Sequence, residues 1–286
     1  MSERDPGFST RAVGGWTQMP EVRQHPASPP LYQTATFIFD DIDDFASVAQ
    51  TKISGGYLYS RWANPTVDML GRVISSLEGS EATACFGSGM GAIAGTLLSL
   101  LSNGDHMVAA AQLYGGTHGL FGTAFKRAGI SVTTADVGDH AAIEAAFSER
   151  TKVLYCETIG NPTMNVADLD ALASIARAHD ATFVTDSTFA PPVMVRPLEH
   201  GADLVCHSAT KYLGGHADVT GAWCRVTPRG SRPSDTSRSI PEARWRRSTR
   251  GLSRAASKRS FFASIASVRA RSRWRARWRS TPPCSA

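Results

Sequence analysis

The 286-residue chain contains no run of about 18 apolar residues, so no helical membrane span is expected. Its opening, MSERDPGFST, lacks the basic-then-apolar layout of a secretory signal, and a cytoplasmic location is expected. Cysteine is scarce: Cys85, Cys156, Cys206, Cys224 and Cys284 lie far apart, and no CxxC pair occurs. That spacing speaks against a disulfide framework or a zinc site and for reduced thiols without a metal. There is no GxxxxGK[ST] phosphate loop and no HExxH pair, and residues 86–90 read FGSGM rather than GxSxG. NTP-binding, zinc-peptidase and serine-hydrolase chemistries therefore have no motif to rest on.

Acidic residues are scarce in one region. Residues 225–286 hold 16 Arg and one Lys against Asp235 and Glu242, a net charge of +15. The whole chain carries +5, which leaves −10 for residues 1–224. Two such compositions divide the chain near residue 221.

What is present is an alternation. Short apolar strands are predicted at 82–86, 105–110, 131–136, 152–156, 182–186 and 202–206. Between and before them, helices are predicted at 67–77, 92–101, 115–128, 141–147 and 166–179, the first capped by Asn64 or Thr66. This order implies an α/β fold, a mostly parallel sheet with helices on both faces. Residues 1–30, rich in Pro and Gly, read as an extended arm, and 32–39 (YQTATFIF) as a segment able to cross a surface without joining a sheet.

Ligands of parallel sheets bind beyond the carboxyl ends of the strands. Tyr114, Glu157, Asn161, Asp186 and residues 208–211 all fall at or just past such ends. In ADLVCHSATKYLGGH (202–216), Ser208, Thr210 and Lys211 bring two hydroxyls and an amine to one strand end. Partial burial there would lower the Lys211 pKa and suit it to Schiff-base formation, although a solvated loop can have the same composition. Gly87-Ser88-Gly89-Met90-Gly91 joins a strand to a helix, the layout of an anion site and equally of a tight packing turn. Tyr59 and Arg61 alternate, so in an extended segment they point the same way and suit a phosphate. Asp186, ending TFVTD, calls for a cation or donors if it is buried, or acts as a turn cap. His118, His207 and His216 fit no catalytic pattern and read as structural, or as supports behind residues that touch a ligand.

Taken together, YSRWANPT (59–66), GSGMGAI (87–93), LYGGT (113–117), ETIGNPT (157–163), VTDSTFAPP (184–192) and HSATKYLGGHADVTG (207–221) resemble the pyridoxal-phosphate enzymes of cysteine and methionine metabolism. That family includes cystathionine γ-synthase, cystathionine γ-lyase, methionine γ-lyase and O-acetylhomoserine sulfhydrylase. The resemblance implies the aminotransferase-like type I fold and pyridoxal 5'-phosphate as cofactor. It further implies a Schiff base on Lys211 and Asp186 against the pyridine nitrogen. Asn161 would meet the phenolic oxygen, and Tyr114 would stack on the ring and donate a proton to the leaving group. Ser88, Gly89, Met90, Ser208 and Thr210 would lie around the phosphate. Tyr59 and Arg61 would reach the phosphate of a neighbouring subunit, in a homodimer or homotetramer. The implied substrates are small sulfur amino acids or O-acylhomoserines, through γ-elimination or γ-replacement. Gly116 departs from the cysteine that methionine γ-lyases often carry there, whereas KYLGGHADVTG stands closer to the lyase and synthase branches.

The resemblance runs to Gly221, where the family continues with an apolar strand and this chain reads Ala222-Trp223-Cys224-Arg225. Codons for Gly-Ala-Trp-Cys, read from the last base of the glycine codon, can encode Gly-Val-Val. The expected organisation is therefore an N-terminal arm (1–60), a cofactor-binding domain (61–221) lacking its C-terminal end, and an out-of-frame, disordered tail (222–286). The family's arginine for the substrate carboxylate has no counterpart to carry over, which sets an inactive cofactor-binding relic beside the enzyme reading. RSRWRARWRS (271–280) interleaves aromatics with arginines, but basic composition without a fold does not make nucleic acid the expected partner.

Overall fold

In the computed structural model, the described residues are 30–50, 56–215 and 221–226. The chain divides into two compact units, 1–31 and 32–286, and the following concerns the second. Seven strands form one sheet: β1 (Ala82–Phe86), β2 (His106–Ala110), β3 (Ser131–Ala135), β4 (Thr151–Glu157), β5 (Thr182–Asp186), β6 (Leu204–Ser208) and β7 (Ala222–Val226). Their order is β1-β7-β6-β5-β4-β2-β3. The β6-β5-β4-β2-β3 pairings are parallel, and β7 lies antiparallel between β1 and β6. The carboxyl ends of the six co-directional strands therefore share one edge.

The central strands are mostly apolar and buried because both faces of the sheet are covered. All five residues of β2 are buried, as are Val153 to Glu157 of β4. The helices are α1 (Ile42–Ala49), α2 (Pro65–Glu78), α3 (Gly89–Leu100), α4 (Gly115–Leu120), α5 (His140–Ala145) and α6 (Leu169–Ala178). Asn64, not Thr66, caps α2: its side chain accepts the Thr66 N–H at 2.9 Å. The Thr66 hydroxyl instead accepts the Tyr32 N–H. Helix α2 ends at Gly79, whose φ of 74° closes the last turn at no Cβ cost. Leu70, Ile74 and Glu78, four residues apart, form its buried stripe. Asp168 caps α6, which buries Leu169, Leu172, Ala173 and Ala176.

Three expectations change. The helix predicted over 115–128 is interrupted by a π-turn at Phe121–Phe125, where both phenylalanines are buried with ring centroids 5.5 Å apart. The arm drawn over 1–60 includes α1, capped by Asp41, whose carboxylate accepts the N–H groups of Asp43 and Asp44. The segment 32–39 stays off the sheet, in line with the sequence, and pairs locally with residues 58–60, through the Thr36–Tyr59 bridge and the Ser60 N–H to Ala35 carbonyl bond at 2.8 Å. Finally, the boundary at Gly221 falls five residues early. Strand β7 occupies the gap between β1 and β6, because ladder pairing is made by backbone groups that any non-proline residue supplies. Residues 227–286 lie outside the described residues.

Candidate functional site

At the carboxyl edge of the sheet, β1 turns into α3 through Gly87 and Ser88. The Ser88 hydroxyl accepts the Gly91 N–H at 3.1 Å, capping the helix and opening its first turn toward the edge. Gly89 lies directly against β6: a Cβ there would stand 2.9 Å from Ser208 Cβ and 3.0 Å from Ser208 Oγ. Glycine is thus required by close approach. Ser208 is held by the Thr188 hydroxyl, which accepts its N–H at 2.8 Å, and its own hydroxyl donates to Thr210 Oγ1 at 3.0 Å. A helix start, two hydroxyls and a glycine backbone meet at one point, a donor set suited to a phosphate.

Asp186 ends β5 with only 8% of its surface exposed. Burial raises its carboxyl above the ordinary range, partly countered by bonds from the Thr188 N–H and hydroxyl and by His207. Both Thr188 bonds fall on Oδ1, so among the described residues Oδ2 remains available to a donor or cation. A buried carboxylate with one open oxygen fits a protonated ring nitrogen. His207 is fully buried, with Nε2 2.6 Å from Glu78 Oε1, tying β6 to α2, so its expected structural role holds.

Sequence reasoning singled out Glu157 only by position, and it proves central. One oxygen accepts the Tyr114 N–H at 2.7 Å and the other the Asn161 N–H at 3.1 Å. Its carboxyl is pushed up to about 7, first by burial and then by Asp186, against the two N–H bonds. Gly160 packs on the neighbouring loop, where a Cβ would meet the Gln112 carbonyl oxygen at 2.9 Å. The Tyr114 side chain is exposed, and a Cβ on Gly116 would stand 2.4 Å from its ring. Met90 Sδ lies 3.2 Å from that same Cβ position, which brings α3 and the Tyr114 loop together.

Lys211 follows on the turn after β6 and is exposed, so the partial burial expected for it is not found: β6 extends to Ser208 and the chain then turns outward. Tyr59 and Arg61 lie on a separate turn rather than an extended segment, with the Arg61 guanidinium carbon 4.8 Å from the Tyr59 ring centre. Arg61 is exposed and makes no hydrogen bond to the glycine turn or to residues 208–211 among the described residues. The buried Cys156 thiol is pushed up to about 12 and is not a nucleophile at neutral pH. Among the described residues no group of His, Cys, Asp or Glu could hold a metal ion, and no helix is long and apolar enough to cross a membrane.

Residues 9–229 match the family model described as Cys/Met metabolism PLP-dependent enzyme. The chain is 43% identical over 219 residues to an L-methionine γ-lyase of Pseudomonas putida, covering 77% of this chain and 54% of that one. It is 44% identical over 191 residues to an L-methionine γ-lyase of Fusobacterium nucleatum, covering 66% and 48%. The chain thus spans about half the length of the curated relatives it matches. Its fold superposes with a TM-score of 0.76, at 26% identity, on a Campylobacter jejuni chain assigned as O-acetylhomoserine (thiol)-lyase, covering 85% of this chain and 66% of that one. That structure contains N'-pyridoxyl-lysine-5'-monophosphate.

Proposed function

Because the chain belongs to the PLP-dependent enzymes of cysteine and methionine metabolism, we propose that it holds pyridoxal phosphate through Lys211 and acts in transsulfuration. The reaction is γ-elimination from methionine or cystathionine, giving a 2-oxo acid, ammonia and a thiol. The close approach of Gly89 to Ser208 carries the cofactor reading, since it joins two matched segments into one phosphate cradle. The likeness to methionine γ-lyases supports elimination.

When bound, pyridoxal phosphate supplies an electron sink for the pair left at the substrate Cα. Lys211, exposed and next in the chain to Thr210, would bind the cofactor's carbonyl carbon and later take the Cα proton. Asp186 would keep the ring nitrogen protonated, and Asn161 would meet the phenolic oxygen. The Tyr114 ring would lie against the cofactor, and its phenol would give a proton to the departing sulfur. Tyr59 and the exposed Arg61 serve the cradle of a second copy, which makes the active unit a homodimer, in turn assembled as a homotetramer, in the cytoplasm.

Gly116 favours a second reading, γ-replacement on an O-acylhomoserine. A Cβ at 116 would stand 2.4 Å from the exposed Tyr114 ring, so the cysteine that methionine γ-lyases often carry would require that ring to move. The test is absorption spectroscopy of the full chain with pyridoxal phosphate beside Lys211→Ala, followed by assay of 2-oxo acid release from methionine and cystathionine. A visible band lost in the variant, with 2-oxo acid formed by the parent, is the expected result. No band in the parent overturns the cofactor reading. Product formation solely from an O-acylhomoserine with a thiol overturns elimination in favour of replacement.

A further inference from the structure

Glu157 joins the two loops that carry the ring-contacting side chains, although it contacts neither side chain. It stands at the carboxyl end of β4, 6% exposed, and each carboxylate oxygen accepts one backbone N–H: Tyr114 at 2.7 Å and Asn161 at 3.1 Å. These two residues leave β2 and β4, neighbouring strands, and their loops touch where Gly160 meets the Gln112 carbonyl. We propose that Glu157 is a positioning residue whose charge state sets where the Tyr114 phenol and the Asn161 amide stand over the cofactor site. This inference rests on the cofactor reading above.

The physical ground is a count of acceptors. An ionised carboxylate has two acceptor oxygens, and both are used. Protonation turns one of them into a donor facing an N–H, so one loop loses its tie. The surroundings make the proton easy to gain. Across the β4–β5 pairing, Glu157 is registered opposite Asp186, a second buried carboxylate. The other titratable neighbours on its own strand are Tyr155 and Cys156, both buried and neutral at physiological pH. From β2, the paired residues Met107, Val108 and Ala109 present no charge, and His106 sits at the far end of that strand. His207 on β6 faces Asp186 rather than Glu157. Among the described residues no cation pairs with Glu157. A positive ring nitrogen held by Asp186 would offset the repulsion between the carboxylates, so cofactor binding and ionisation of Glu157 favour one another.

Two measurements test this on the full chain. The first, without cofactor, is residue-resolved amide hydrogen exchange at Tyr114 and Asn161, corrected for intrinsic rates, in the parent and in Glu157→Gln. Glutamine keeps one acceptor oxygen, so at least one of the two amides should exchange on the order of tenfold faster, while the amides of β5 stay protected. The parent alone should show the same loosening at about pH 6 relative to about pH 8.5, which keeps the test open if the variant does not fold. The second is the affinity for pyridoxal phosphate across that range, read from its visible band. Below about pH 7 the parent should lose up to about tenfold more affinity per pH unit than Glu157→Gln does. The difference between the two profiles is the readout, because Lys211 contributes to both alike. Unchanged exchange at both amides, or parallel affinity profiles, overturns the proposal. Faster exchange in a parent that binds no pyridoxal phosphate overturns the cofactor reading and reduces Glu157 to a structural tie.

Discussion

Replacing Gly89 by alanine probes the cradle where it is tightest. The added Cβ would stand 2.9 Å from Ser208 Cβ and 3.0 Å from Ser208 Oγ. The hydroxyl can rotate away, but the Cβ cannot, because Ser208 closes β6 and its N–H is held by Thr188. Backbone must therefore give by several tenths of an ångström, at a cost of about 1–3 kcal/mol. Gly89 is also the first residue of α3, and alanine is favoured over glycine in helices by up to about 1 kcal/mol. The second effect offsets part of the first, so urea unfolding should show destabilisation of about 0–2 kcal/mol. The cradle itself gains nothing from helix propensity. Its widening separates the α3 amides from the Ser208 and Thr210 hydroxyls, and affinity for pyridoxal phosphate should fall at least about tenfold, or ~1.4 kcal/mol. Gly119→Ala is the matched control: its Cβ would meet nothing within 4 Å, so it should bind the cofactor like the parent. Equilibrium titration by visible absorption compares the three chains. A Gly89→Ala chain that binds within about twofold of the parent would refute the assignment of this turn to the phosphate.

Three further outcomes follow from buried charge. Asp186→Asn removes a carboxylate that burial disfavours, so the cofactor-free chain at about pH 8 should unfold at equal or higher urea, by up to ~2 kcal/mol, while cofactor binding weakens; a large loss of stability would contradict the site role. Folded Glu157 holds its proton up to about pH 7, against an ordinary value of 4.5, so unfolding releases that proton between those values. Cofactor-free stability should then fall by about 3 kcal/mol as pH rises through that window and be level above it, and urea midpoints for Glu157→Gln should lack this component. His207→Ala strands the fully buried Glu78 carboxylate and should destabilise by about 3–5 kcal/mol, measured by denaturation; a cost below about 1 kcal/mol would mean the pair is not maintained in solution.

Much of this architecture is legible in local pattern. ATACF and TFVTD are short, apolar and bounded by polar or turn residues, and β1 and β5 occupy those stretches. The gathering of Gly89, Tyr114, Asn161, Asp186 and Ser208 at one edge follows from parallel topology, which the strand-helix alternation carries. What local pattern does not carry is who meets whom across the chain. Glu157 accepts an N–H from 43 residues away, and His207 meets Glu78 from 129 residues away. A lone Glu or His gives no sign of a partner so distant. The exposure of Lys211 likewise depends on β6 running two residues further than its apolar stretch indicates, because His207 finds a buried carboxylate to pair with. Strand β7 was hidden for another reason: its arginine-bearing composition masks a segment whose place is fixed by a vacancy between two strands.

That vacancy has a consequence for the order of events at the ribosome. Among the described residues, strand β1 sits at the sheet edge and has β7 as its ladder partner, about 140 residues later in the chain. Everything from β2 to β6 can pair as it is synthesised, but β1 and the Ser88–Gly89 turn must wait for residue 226. The cradle is thus the last part of the sheet to close, and the loop-closure entropy of that long return falls on it. A nascent chain halted at Gly221 would carry nearly all of the residues that define the site without the strand that brings its two halves together.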